Sequence, residues 1–399
     1  MLAQRMKSLA PSSTLAVQAR ARELRARGVD VISFGAGEPD FDTPERIKAA
    51  AVQALRRGET KYTEVAGIPE LRAAVCAKLK RDQGLDYEPA EVLISVGAKH
   101  TLFNLAAALL DPGDEVLVPS PYWVSYPEQA RLLGAVPVAV PTDERSGFDL
   151  DPDRLAAAVT PRTRLVVLNS PNNPTGAVFS REALAAVGRL AIERDLWIVS
   201  DECYEALTYE GRHVSIAQLG PEVKRRTVVV NTCSKAYAMT GWRIGYAAGP
   251  RPLIQAMTTV QSQVTSNPSS VAQWAAVEAL AGPQDEVAKM AGEFDRRRRL
   301  IVDGLNALPG VSCVMPRGAF YVFPNVSGLF GRRVSVGGAP RELRTSTDVA
   351  EFLLEHARVA VVPGLDFGSD AHVRLSYATS AELIREGLAR MDAAIRALE

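Results

Sequence analysis

Lys235 is the one lysine in the run NTCSKAYAMTGWRIGY (231–246), and Arg243 follows it eight positions later among small and hydroxylated residues. An amine in that setting suits attack on a carbonyl, provided it loses its proton near neutral pH. Desolvation and a neighbouring cation both lower a lysine pKa. A guanidinium nearby suits a phosphate, which it can bind in bidentate fashion. Other residues able to do chemistry follow short apolar runs. Gly97, Ala98 and Lys99 follow EVLIS and open the helical pattern KHTLFNLAAALL; Trp123 follows DEVLVPS; Asn173, in PNNPTG, follows RLVVLNS; Asp201 and Tyr204 follow LWIVS; Ser234 and Lys235 follow TVVVN. Together they supply a helix N-terminus to cradle a phosphate, an indole to stack on a planar group, a carboxylate to keep a pyridine nitrogen protonated, and an amine for a Schiff base. Each also has a purely structural explanation. Small residues cap helices, Asn and Pro make turns, Trp123 packs in a core, and Asp201 caps a helix.

Positioning these residues falls to the apolar runs. EVLIS, DEVLVPS, AVPVAV, RLVVLNS, LWIVSD, TVVVN and RIGYAAG are short and rich in Val, Ile and Leu, the pattern of strands buried on both faces. Helical stretches such as 180–194 lie between several of them, which predicts a mostly parallel α/β sheet of seven strands. In such sheets ligands bind beyond the carboxyl ends of the strands, where the reactive residues collect. From about 290 the pattern changes to a long helix, GAFYVFP, a Gly/Arg-rich loop at 328–338, VAVVPG, VRLSYA and a terminal helix. That predicts a smaller α+β unit. The expected division is an N-terminal arm and first part of the small unit over 1–45, a large domain over 46–290, and the rest of the small unit over 291–399.

The chain has 399 residues, enough for two domains, and 46 basic residues balance 46 acidic ones. Nothing in that balance marks a nucleic-acid or membrane-surface partner. The dense basic run at 296–299 is expected on a solvated helix face. Cys76, Cys203, Cys233 and Cys313 are far apart, which fits reduced thiols in a cytoplasmic protein rather than a disulfide framework. No metal site is expected, and no stretch reaches the length of a membrane span. The arginine-rich N-terminus reads as an ordinary helix over 14–28 rather than a targeting segment.

The chain resembles the class I aminotransferases of the aspartate aminotransferase family, pyridoxal-phosphate enzymes of fold type I, in the bacterial branch holding aspartate and aspartate/prephenate enzymes. GAGEPDFDTP, KYTEVAGIPELR, LDPGDEVLVPSPYWVSYPE, NSPNNPTGAV, SDECYE, SKAYAMTGWRIGY, GAFYVFP and VRLSYATS occur in the family's order and spacing, over essentially the whole chain. The resemblance implies pyridoxal 5′-phosphate as cofactor, with Lys235 as its Schiff-base lysine and proton shuttle. It implies that Asp201 pairs with the ring nitrogen, that Tyr204 and Asn173 bond the ring's phenolic oxygen, and that Trp123 stacks on the ring. Gly97, Ala98, Lys99, Ser234 and Arg243 would hold the phosphate, with Tyr62 reaching it from a neighbouring subunit. Arg374 would clamp the substrate α-carboxylate and Gly37 would close over it, with Trp123 and Asn173 also facing the substrate. The implied assembly is a homodimer with shared active sites, and the implied ligands are small amino and keto acids.

Within that resemblance the second carboxylate decides the substrate. Ser262 stands where the animal-type branch has an arginine, whereas Lys99, Ser12 and Thr14 stand where the bacterial branch binds a dicarboxylate. Aspartate with 2-oxoglutarate is therefore the expected pair. Prephenate remains an alternative acceptor, marked down by Ala10, where branch members that accept it often carry lysine. Aromatic or alanine aminotransfer and a C–S lyase on the same scaffold also remain. A non-catalytic protein on this fold is disfavoured by the presence of Lys235.

Overall fold

The computed structural model describes residues 3–7, 9, 13–336 and 339–398. All seven apolar runs form one sheet: β1 Val92–Val96, β2 Glu115–Ser120, β3 Val136–Pro141, β4 Thr163–Asn169, β5 Trp197–Asp201, β6 Thr227–Thr232 and β7 Ile244–Ala248. The spatial order is β1-β7-β6-β5-β4-β2-β3. Only β7 is reversed, pairing antiparallel with both β1 and β6; every other pair is parallel. The reversal matters for the site. With Val96 opposite Ile244, the residues just before β7 share an edge with those just after β1.

Helices cover both faces. Arg181–Glu193, capped by the Ser180 hydroxyl accepting from the Ala183 N–H, buries Leu184, Val187 and Ala191, the i, i+3, i+7 stripe of an amphipathic helix. Behind the other face, Pro69–Gln83 and Ser270–Ala281 bury Leu71, Val75, Ala275 and Ala279 against β1 and β7. A separate core gathers Phe34, Phe294, Phe320, Val359, Leu375 and Ile384. It brings the N-terminal strand Ile32–Ser33 onto Val359–Ala360 in parallel, beside an antiparallel sheet of Val362–Pro363, Val373–Ser376 and Tyr321–Val322. The N-terminal strand thus packs with the last hundred residues. The helix Asp285–Asn306 runs unbroken across position 290. All four cysteines are free, and no helix among the described residues is long and apolar enough to cross a membrane.

Three expectations need correction. AVPVAV is an edge strand with Val136 47% exposed; an apolar run alone does not tell an edge from a centre. Part of the 328–338 loop is a strand, Arg333–Val336, paired antiparallel with Ala339–Glu342. The run at 296–299 is not a solvated face throughout, because at 100° per residue four consecutive helical residues point all round the axis. Arg296 and Arg299 are exposed, but Arg298 is 1% exposed, bound to Glu210, Asp295 and the Pro316 carbonyl and stacked on Tyr209. Arg297 is buried between Asp40 and Glu293. Arg298→Ala should therefore cost about 2 kcal/mol or more in urea unfolding and Arg299→Ala less than about 0.5 kcal/mol. Equal costs would overturn the distinction.

Candidate active site

The residues expected to cradle a phosphate meet where β1 and β7 abut. Gly97 caps the helix Ala98–Leu109 with φ 79°, and Arg243 enters β7 with φ 58°. A side chain at Gly97 would place its Cβ 2.5 Å from Arg243 Nη2, and one at Gly245 would sit 2.3 Å from the Ala98 nitrogen. Only glycine allows this approach, which lays a guanidinium over the open N–H groups of a helix start. Arg243 Nη1 donates to the Thr240 carbonyl at 2.7 Å. Ser234 enters from the end of β6, its hydroxyl accepting from Thr232 at 2.8 Å. The donor set and the dipole suit an anion.

Asp201 ends β5 almost fully buried. Its Oδ2 accepts from the Tyr126 hydroxyl at 2.8 Å, and its Oδ1 from the backbone N–H and the thiol of Cys203. Burial pushes its carboxyl pKa up, while the donors of Cys203 and Tyr126 pull it down. Burial and the neighbouring Tyr321 hold Tyr204 well above the ordinary phenol range, so it stays neutral; the two hydroxyls lie 2.9 Å apart.

Lys235 lies half-buried in the same cavity, its Nζ donating to the Gly37 carbonyl at 2.5 Å. Burial, with Arg374 and Arg243 adding to it against Cys203 and Glu38, lowers its pKa to about 8. A usable fraction of free amine follows at neutral pH. Above it sits Arg374, on the strand Val373–Ser376 and 1% exposed. Its Nη1 donates to Asn173 Oδ1 at 3.0 Å and its Nη2 to the Gly35 carbonyl at 3.1 Å. Its Nε finds no partner, and the rings of Tyr321 and Phe367 flank it at 4.7 and 5.0 Å. Among the described residues no carboxylate pairs with it. A buried cation without a counter-charge is costly, so this one is poised for an anion.

Lys99 holds its Nζ 5.0 Å from the Trp123 ring centre, and burial and Arg243 lower its pKa. Thr14, on the helix Ser13–Ala26, faces the same space. One cavity of about 370 Å³ is lined by Thr14, Gly37, Ala98, Lys99, Trp123, Asn173, Asp201, Tyr204, Ser234, Lys235, Arg243 and Arg374. Gly97 lies against it through Arg243. Tyr62 is 91% exposed and does not line it. Ser12 and Ala10 fall outside the described residues.

Sequence reasoning missed Tyr126, Asn169, Cys203, Tyr321, Glu38 and Gln18, all on the cavity wall. Tyr126 follows Trp123 by three positions at a helix start, and Gln18 follows Thr14 by one helical turn, spacings that could have been read. Asn169 binds the Asp201 carbonyl and the Asn173 N–H, and no local pattern announces that. The donor set fits a phosphorylated planar heterocycle: an anion cradle at one end, an indole beside it, a buried acid, and an amine within the same space.

The family model for class I and II aminotransferases matches residues 29–391. The aspartate aminotransferase of Geobacillus stearothermophilus is 51% identical over 391 residues, 98% of both chains. The aspartate/prephenate aminotransferase of Thermus thermophilus is 53% identical over 392 residues, 98% of this chain and 97% of that one. Among solved structures, the aspartate aminotransferase of Rhizobium meliloti superposes with a TM-score of 0.96 at 49% identity, covering 100% of both chains. The Thermus thermophilus aspartate aminotransferase with maleate gives 0.93 at 49% identity over 99% of both.

Proposed function

The chain belongs to the class I and II aminotransferase family, and on that premise we propose that it moves the amino group of L-aspartate to 2-oxoglutarate, giving oxaloacetate and L-glutamate. Pyridoxal 5′-phosphate, the cofactor of the family, supplies a carbonyl for an amine to condense with and a protonated ring that accepts electrons as the Cα–H bond breaks. In this proposal the backbone of Gly97, Ala98 and Lys99, with Ser234 and Arg243, holds the phosphate. Trp123 covers the ring, Asp201 holds the proton on the ring nitrogen, and Tyr204 and Asn173 bind the phenolic oxygen. Lys235 Nζ holds the cofactor and carries the proton to and from the substrate Cα. Arg374 takes the α-carboxylate, with the Gly37 backbone closing beside it.

The observation that carries the dicarboxylate reading is that the cavity holding the unpaired Arg374 also holds Lys99 and Thr14. An amino dicarboxylic acid has an anion for each of the two cations, whereas alanine leaves Lys99 without one. The relative solved with maleate binds a dicarboxylate, which supports the same reading. Lys99→Ala should raise KM for aspartate and 2-oxoglutarate by about tenfold or more, the loss of a hydrogen bond to a charged group, and leave KM for alanine within about twofold. Parallel shifts for both substrates would sink the role of Lys99. A panel of amino donors with 2-oxoglutarate, and with prephenate as a rival acceptor, tests the substrate pair itself. The proposal includes a homodimer in which the exposed Tyr62 reaches the phosphate bound by the other copy.

A further inference from the structure

The Asp201 carboxylate rests on donors from two sides. Tyr126 serves Oδ2 at 2.8 Å. Oδ1 takes the Cys203 backbone N–H at 3.2 Å, which any residue would supply, and the Cys203 thiol at 2.6 Å, which only this side chain supplies. Cys203 lies in the turn between β5 and the short helix Glu205–Leu207. It lines the active-site cavity and also a second cavity of about 830 Å³ behind it, so it is the wall against which Asp201 is set. Burial first, and then the charge of Asp201, push the thiol well above its ordinary pKa. It therefore stays protonated at neutral pH, a hydrogen-bond donor and no nucleophile.

We propose that Cys203 is a positioning residue for the transamination: its thiol proton, given to Asp201 Oδ1, keeps that carboxylate ionised and turned toward the cofactor's ring nitrogen. The inference rests on the role proposed for Asp201. A carboxylate that loses a donor becomes a stronger base. Without that donor Asp201 would hold the proton of a bound ring nitrogen on its own oxygen, and the visible absorption of the bound cofactor would titrate at higher pH. Substrate binding, which runs through Arg374 and Lys99, is untouched.

The test uses the holoenzyme and its Cys203→Ser, Cys203→Val and Cys203→Ala variants. Serine keeps the donor; valine fills the space without one; alanine removes the donor with less bulk, should valine disturb folding. Two quantities are read, the pH midpoint of the visible absorption change of the bound cofactor and kcat against KM for aspartate. Valine and alanine should raise the midpoint by about half a pH unit or more and lower kcat about tenfold with KM within about twofold. Serine should keep both near the parent. Unchanged values in valine and alanine, or serine shifting as far as valine, would overturn the inference, the second by showing that bulk rather than the donor matters. Asp201→Ala separates the two layers. If it abolishes activity while Cys203→Val is silent, only this inference falls; if it keeps activity and midpoint, the reading of Asp201 falls with it.

Discussion

Lys235→Ala should lower turnover of aspartate with 2-oxoglutarate by about 10⁴-fold or more, because in the proposed function one nitrogen is both the covalent anchor and the proton carrier. The cofactor should still enter, since the phosphate cradle proposed at Gly97, Ala98 and Arg243 does not include the lysine. The same variant carries a signature independent of the cofactor. The folded pKa of Lys235, about 8, lies below the ordinary 10.5. Between those values the unfolded chain binds the extra proton, so this residue makes stability of the cofactor-free protein rise with pH across that window. Below about pH 8 both states are protonated and the slope is lost. Thermal melts of cofactor-free wild type and Lys235→Ala from pH 7 to 10 should therefore converge as pH rises. Steady-state rates above about a tenth of wild type, with or without that convergence, would remove Lys235 from the mechanism.

Arg374→Leu should cut kcat/KM for every amino acid, aspartate and alanine alike, by about 10³-fold. Truncating one partner of a buried charge pair costs roughly 2–5 kcal/mol or more, and each 1.4 kcal/mol is tenfold. The stability of the cofactor-free protein should move the opposite way or not at all. Arg374 is buried with an unpaired Nε and no carboxylate among the described residues, so removing it relieves a desolvated charge. Loss of activity without loss of stability marks a residue kept for a ligand. Arg374→Lys should not restore activity, because an ammonium cannot match the fork that Asn173 and Gly35 orient. Rate assays paired with urea unfolding decide the matter: a destabilised Arg374→Leu with a near-normal kcat/KM would make the residue structural. The contrast with Lys99→Ala, which should affect dicarboxylates selectively, assigns the two carboxylates to two cations.

The sheet was legible because each of its strands is a short apolar run, and the site because reactive residues sit where those runs stop. Arg243 shows where this reading stops. Its place before RIGYAAG is plain, but its arrival beside Gly97 depends on β7 being reversed, which no run of Val and Ile encodes. The edge position of AVPVAV, the burial of Arg298 and the strand within 328–338 were hidden for related reasons. Edges and ion pairs are settled by what packs alongside from distant parts of the chain. The donors to Asp201 were hidden too: Tyr126 is 75 residues away in sequence, and Cys203 looks like one more small apolar residue after a strand. Arg374, 201 residues from Asn173, was legible only through its motif, whereas its missing counter-ion required the packed structure.

In the proposed function, Lys235 and its surroundings carry an amino group from aspartate to a keto acid. The most direct measurement is a half-reaction: holoenzyme mixed with L-aspartate and no acceptor, followed by visible absorption and by assays for oxaloacetate and ammonia. A transaminase should give one oxaloacetate per active site, no ammonia, and a spectral change reversed when 2-oxoglutarate is added, with one glutamate formed. Continuous release of keto acid and ammonia without an acceptor would mark an elimination or deamination enzyme and contradict the proposed function.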